Sequence, residues 1–99
     1  MLSHVVLFWL KKDISQEQVD FFEKQLEKLE EIQSVSQFYF GKPADTPKRP
    51  VIDDSYSYSI NVILKDMEAH DLYQQDPIHQ AFIKDCSFLW DKVRIYDFS

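Results

Sequence analysis

The sequence is poor in the features that mark secreted, membrane-bound or nucleic-acid-binding proteins. It has one cysteine, Cys86, so no intrachain disulfide can form and the chain fits a reducing compartment. The apolar run from Val5 to Leu10 is too short for a signal-peptide core, and no run approaches the roughly 20 residues of a membrane helix. We therefore expect a cytoplasmic protein with no membrane partner.

Positive charge and metal-binding residues are also scarce. The chain has 17 acidic against 11 basic residues, a net charge of -6, which opposes binding to a phosphate backbone, so we expect no nucleic-acid partner. Only His4, His79 and Asp97 could be proposed as metal ligands, and their spacing matches no metal-binding motif. The sequence therefore predicts neither a metal site nor a cofactor.

Apolar and aromatic residues are plentiful, at 44% and 15% of the 99 residues, which is enough for the core of one domain over residues 1–99. Alternating or β-rich patterns predict strands at 4–10, 35–42, 56–64 and 93–98. Helical patterns follow the first and third strands, the second of them broken. This order predicts an α+β, ferredoxin-like βαββαβ domain, in which a four-stranded antiparallel sheet carries helices on one face.

Helix-start signals locate the helices. Ser15 and Gln18 form a predicted capping box, and an apolar stripe at helical spacing follows it. Asp66 is a candidate N-cap for a short helix that ends near Tyr73, with His70 on its exposed face. Asp76 and Pro77 begin the next helix. Its candidate buried positions are Phe82, Phe88, Leu89 and Trp90.

Two histidines and a tyrosine stand out as polar residues for a site. His79 falls in the first turn of the last helix, where unpaired amides and the helix dipole disfavour an imidazolium. A neutral imidazole can accept a proton, and Tyr73 can donate a hydrogen bond. His4 lies on the same strand face as Val6 and Phe8.

The sheet face opposite the helices is unusually apolar for a monomer. We expect it to pack against the same face of a second copy, so that two sheets form a dimeric α/β barrel. The residues predicted on this face are Val5, Leu7, Trp9, Tyr39, Ile63, Tyr96 and Phe98. The proline-rich connection 43–55 is either mobile surface or a lid, and the sequence leaves both alternatives open.

Three segments together carry a family resemblance. These segments are His4-Val5-Val6-Leu7-Phe8, Tyr73-Gln74-Gln75-Asp76-Pro77-Ile78-His79 and Ile95-Tyr96-Asp97-Phe98. In this order and spacing they resemble the stress-responsive A/B barrel (Dabb) family of dimeric α+β barrels, over the whole chain. The resemblance implies a homodimer with a pocket between sheet and helices.

The resemblance also implies residue roles. A plant member closes a polyketide ring by aldol condensation with a histidine and a tyrosine at the positions of His79 and Tyr73, and His4 is a possible second polar contact. The implied pocket lining is Val6, Phe8, Phe22, Leu26, Tyr58, Ile60, Phe82, Trp90, Val93 and Ile95. The chain departs from the family at Asp76, where members often have histidine, and at Leu26, which lacks the ring hydroxyl of the plant cyclase.

Two hypotheses about function follow. The first is a homodimer that binds a small hydrophobic molecule in a stress-related or metabolic role. The second is a cofactor-independent enzyme, a cyclase, isomerase or monooxygenase, that uses His79 as base and Tyr73 as donor. The alternative to catalysis is that His4 and His79 make only structural hydrogen bonds. Fold alone cannot decide among these functions.

Overall fold

The computed structural model describes residues 1–99 and has the predicted ferredoxin-like order of elements. The strands are β1 (Leu2–Leu10), β2 (Val35–Gly41), β3 (Tyr58–Leu64) and β4 (Trp90–Phe98), and the helices are α1 (Gln16–Glu27), α2 (Met67–Gln75) and α3 (Pro77–Cys86). The sheet has the order β2-β3-β1-β4. All its strand pairs are antiparallel. The predicted four-stranded sheet is therefore confirmed.

The predicted capping box begins α1. The Gln18 amide donates to the Ser15 hydroxyl at 3.1 Å, and the Ser15 amide donates to the Gln18 side chain at 2.9 Å. These two bonds satisfy amides that the helix cannot pair internally. Phe22 and Leu26 follow at helical spacing and are fully buried. A single 3₁₀ turn, Lys28–Glu31, continues the chain towards β2.

Strand β2 differs from the prediction at its start. The sequence alternation placed Val35 on the face opposite Phe38 and Phe40, but all three pack against the core. The pairing register shifts between Val35 and Gln37 along β3, which marks a bulge. An extra residue in one strand reverses the side-chain alternation, and single-strand periodicity does not reveal it.

The end of α3 also differs from the prediction. Phe88 was expected to be buried but is exposed, because a 3₁₀ turn, Ser87–Leu89, follows α3. In that turn Leu89 is buried instead, and the Lys11 amide donates to the Leu89 carbonyl at 2.9 Å. None of the helices is both long and apolar enough to cross a membrane.

The helices leave the second sheet face uncovered. Tyr39, Tyr96 and Phe98 are 78%, 53% and 63% exposed, although aromatic side chains are usually buried. The remaining residues predicted on this face, Val5, Leu7, Trp9 and Ile63, are half-buried within the sheet. The β2–β3 connection lies beside this face, where the Trp9 indole donates to the Ser55 hydroxyl at 3.0 Å.

Candidate functional site

Asp76 builds the junction at which the candidate site lies. Its amide donates to the Tyr73 carbonyl at 3.3 Å and ends α2, while its carboxylate accepts from the Ile78 amide at 2.8 Å and caps α3. Pro77 occupies the first turn of α3, where a missing N–H costs nothing. The junction therefore holds Tyr73 in the last turn of one helix and His79 in the first turn of the next.

A cavity of about 120 Å³ lies between the sheet and α2 and α3. Its lining is mostly apolar and consists of His4, Val6, Phe8, Leu29, Ile60, Tyr73, Gln74, His79, Phe82, Ile83, Trp90, Val93 and Ile95. The structure thus brings the three residues predicted as catalytic to one cavity, together with seven of the ten predicted lining residues. None of the β2–β3 connection contributes to the wall.

The other three predicted lining residues lie elsewhere. Phe22 and Leu26 are fully buried in the core, and Tyr58 is buried with its hydroxyl donating to Glu23 at 2.8 Å. Because α1 packs directly on β3 and α3, these side chains fill the space that the prediction assigned to the pocket. The wall of this cavity therefore does not include Phe22, Leu26 or Tyr58, three of the lining residues that the resemblance implies.

Aromatic rings form the apolar end of the cavity. The ring centroid of Phe8 lies 5.2 Å from that of Trp90 and 5.8 Å from that of Phe82. These separations are typical of packed aromatic pairs. On the open side, β4 is an edge strand, and Ile95 lines the cavity although it is half exposed. The cavity therefore opens to solvent beside β4.

Tyr73 and His79 form the polar end. Their ring centroids are 5.0 Å apart. Burial raises the pKa of Tyr73, so its hydroxyl stays protonated and can donate. The pKa of His79 is lowered mainly by burial and further by the nearby His4. The Gln74 carbonyl and Asp76 raise the pKa, but their effect is smaller. His79 is therefore neutral near pH 7, and its Nδ1 is buried without a hydrogen-bond partner.

His4 is oriented by Asp97. The two residues are directly opposite in the β1–β4 pairing, and His4 Nδ1 lies 2.5 Å from the Asp97 carboxylate. A carboxylate at this distance accepts the Nδ1 proton and fixes the orientation of the ring. The His4 ring also packs edge-on to Tyr73, with centroids 5.7 Å apart.

His70 joins this cluster, which corrects the prediction that it faces solvent. Its ring centroid is 5.4 Å from that of His4, and its side chain is half-buried. All three histidines of the chain thus lie close together, and two of them, His4 and His79, line the cavity. The prediction failed because α2 is only nine residues long, and its few apolar positions define the buried side poorly.

Sequence reasoning named Asp97 only as a conceivable metal ligand and missed its pairing with His4. It also missed the position of His70 and three lining residues, Leu29, Gln74 and Ile83. One signal for Asp97 was present, since it shares the strand face of Val93 and Ile95, where a charged residue needs a partner. The antiparallel pairing of β1 with β4 places His4 directly opposite it. The Gln74 and Ile83 contributions depend on the angle between α2 and α3, which no local pattern specifies.

The fold and the site define a class: a ferredoxin-like domain with an apolar cavity that ends in a tyrosine and histidines. The stress responsive A/B barrel domain (Dabb) model matches residues 2–99, and the chain belongs to this family. The family resemblance is therefore confirmed. No curated protein sequence matches the chain significantly.

Solved structures share the fold over nearly the whole chain. A protein of Arabidopsis thaliana is 23% identical with a TM-score of 0.81, and the match covers 100% of this chain and 94% of that one. A Dabb family protein of Mesorhizobium loti is 25% identical with a TM-score of 0.79, covering 99% and 94%. The hydroxynitrile lyase of Passiflora edulis is 17% identical with a TM-score of 0.78, covering 98% and 90%. A matching protein of Thermobifida fusca, 19% identical with a TM-score of 0.80 and coverage of 99% and 89%, is described as dimeric and of unknown function.

Proposed function

We propose that residues 1–99 form one domain, which works as a cytoplasmic homodimer and binds a small apolar carbonyl compound in a stress-related or metabolic role. The observation that carries the proposal is an apolar cavity whose far end holds a protonated tyrosine and a histidine nitrogen without a partner. A ligand that supplies an apolar ring and one polar oxygen would fit both ends.

The volume of the cavity limits the size of the ligand. At about 120 Å³ it is somewhat smaller than the roughly 150 Å³ apolar cavity that is known to bind benzene. Drug-sized ligands occupy pockets of roughly 300 Å³ or more. We therefore infer a ligand of about one ring, and a longer compound would extend past Ile95 through the opening beside β4.

The polar end specifies the chemistry of the ligand. A buried polar atom without a hydrogen-bond partner destabilises the protein by about 1–3 kcal/mol. A ligand that pairs with His79 Nδ1 removes this penalty, and the gain contributes to the free energy of binding. The Tyr73 hydroxyl is a donor, which suits a carbonyl oxygen. A hydrocarbon of the same size would leave these groups unpaired, and we expect it to bind more weakly.

The second candidate function is enzymatic and uses the same end of the cavity. Neutral His79 would remove a proton from the carbon beside a carbonyl, and Tyr73 would donate a hydrogen bond to the oxygen that becomes negative. The proton would return from His79 to the product, so the step needs no oxidant or cofactor. The lowered pKa of His79 and the hydroxynitrile lyase of the same fold support this candidate.

Native mass spectrometry of the purified protein tests the binding proposal, because it detects ligands that the cavity retains. We expect a small carbonyl compound, and isolated candidates should bind about tenfold more weakly to Tyr73→Phe and His79→Ala, as loss of one hydrogen bond of about 1–1.5 kcal/mol requires. Tyr56→Phe is the matched control, since Tyr56 packs against Trp9 and is absent from the cavity wall. Equal affinity in all variants would refute the assigned polar end.

The homodimer is proposed from the uncovered sheet face. Its residues are Val5, Leu7, Trp9, Tyr39, Ile63, Tyr96 and Phe98. Burying about six such side chains at roughly 1.5–3 kcal/mol each gives on the order of 10 kcal/mol, which is comparable with the 4–15 kcal/mol cost of association. Relatives from Thermobifida fusca and Bacteroides fragilis, described as dimeric, support the proposal. A monomer in light scattering at micromolar concentration would overturn it.

A further inference from the structure

We propose that His4, His70 and Asp97 form a binding site for a divalent transition-metal ion such as Zn²⁺. Each of these residues offers one ligand atom, and the three atoms lie within 4.8 Å of one another. Two imidazoles and one carboxylate are ligands that Zn²⁺ uses at sites that keep a fourth position open for water. The site differs from the set considered from sequence, because His70 takes the place of His79.

The ligands come from three elements that the fold holds together. His4 on β1 and Asp97 on β4 are cross-strand partners, and His70 comes from α2. A bound ion would therefore connect α2 to two neighbouring strands. His4 is 3% exposed, whereas the side chains of His70 and Asp97 are 19% and 44% exposed. The buried ligand gives a fixed point, and the two partly exposed ligands leave a path for the ion.

Only small side-chain movements would complete the coordination. Ligand bonds of about 2.0–2.2 Å in a tetrahedral site place ligand atoms about 3.3–3.6 Å apart. The 2.5 Å contact of His4 with Asp97 would have to open by about 1 Å, and the other separations, which are at most 4.8 Å, would have to close by no more than about 1.5 Å. Partly exposed side chains such as those of His70 and Asp97 can make such rotamer adjustments.

The ligand chemistry selects the kind of ion. Imidazole nitrogen suits Zn²⁺, Cu²⁺ and Ni²⁺, whereas Mg²⁺ and Ca²⁺ prefer all-oxygen sites. The ion would take the place of the proton that His4 shares with Asp97, and His4 would then bind through Nδ1 as a neutral imidazole with its proton on Nε2.

The inference does not depend on the proposed ligand of the cavity, because the metal alone is the probe. Isothermal titration of the chelator-treated protein with Zn²⁺ should give one ion per chain, and Co²⁺ should give the visible absorption of a tetrahedral or five-coordinate complex. Loss of an outer-shell partner already costs about 10–100-fold in metal affinity, so His70→Ala and Asp97→Asn should each weaken binding at least about tenfold. Asp91→Asn, an exposed carboxylate on the same strand, is the matched control and should bind like the native chain.

Several results would overturn the site. Absence of saturable binding, or equal affinity in the native chain and His70→Ala, would refute it. An equal loss of metal affinity in His79→Ala and His70→Ala would show that the ion binds to other ligands, and it would refute the assigned site as well. Circular dichroism checks that each variant is folded, and His70→Gln, which keeps the size of the side chain but not the imidazole, should reproduce the loss seen in His70→Ala.

Discussion

Placing a charge on the uncovered sheet face should convert the proposed dimer into a monomer, and Tyr96→Glu is the sharpest form of this test. Tyr96 is 53% exposed in the single chain and pairs with Val5 across β4 and β1. An aromatic side chain of about 200 Å² would then bury about 100 Å² on association, worth about 2.5 kcal/mol at 25 cal/mol per Å². Twofold symmetry doubles this to about 5 kcal/mol per dimer, or three to four orders of magnitude in Kd. A carboxylate buried without a partner adds a further cost, so the loss is a lower bound.

Analytical ultracentrifugation over a range of concentrations measures this loss directly. The native chain should sediment as a dimer at micromolar concentration, and Tyr96→Glu as a monomer with an unchanged circular dichroism spectrum. Phe21→Glu is the matched control, because Phe21 is a partly exposed aromatic residue on α1, which packs on the opposite side of the sheet. If Tyr96→Glu remains a dimer with the native Kd, or if Phe21→Glu dissociates equally, the sheet face is not the interface.

Three further predictions concern stability and pH. Asp76→Ala should lower the free energy of unfolding by about 0.5–2 kcal/mol in urea, because it removes the cap of α3, whereas Asp76→Ser should retain most of it. Leu26→Ala should lower the free energy of unfolding by about 2–5 kcal/mol, because Leu26 is fully buried, and Ile95→Ala at the half-exposed rim of the cavity should lower it clearly less. Equal losses in the two variants would contradict the assigned burial. Burial lowers the pKa of His79 below 6.5, so the unfolded chain binds its proton first as the pH falls, and stability should decrease from about pH 7.5 through 6.5 to the lowered pKa. His79→Gln should reduce that decrease, and an unchanged pH profile would refute the buried neutral state.

The architecture was predictable because its signals are local. The capping box at Ser15 and the Asp76–Pro77 helix start each require only a few neighbouring residues, and the structure has both. The alternation in β3 likewise marked its buried face. The bulge after Val35 shifts the pairing register of β2 against β3, and there the same reasoning assigned Val35 to the wrong face of the sheet.

The candidate site was predictable only in part, because cavities depend on how elements pack. Tyr73 and His79 were found from the helix junction, since a junction is encoded in sequence. By contrast, Phe22 and Leu26 have the same residue types as true lining residues, and only the position of α1 against α3 assigns them to the core. An apolar face predicts burial, and it does not tell whether the residue meets another side chain or an open space.

The polar end of the cavity explains why a domain this small keeps buried groups that do not strengthen its core. An apolar side chain in place of His79 would remove a buried nitrogen without a partner, and such replacements are often neutral or stabilising. His4 differs, because its Nδ1 pairs with the partly exposed Asp97 on a neighbouring strand. A packed core alone gives no reason for these residues to meet at the apolar cavity that they line. Binding a ligand there does give a reason, because the ligand supplies the missing hydrogen-bond partner. Unfilled, the cavity end is a local loss of stability, and we expect that a bound ligand raises the unfolding temperature by an amount that grows with the logarithm of the ratio of its concentration to its Kd.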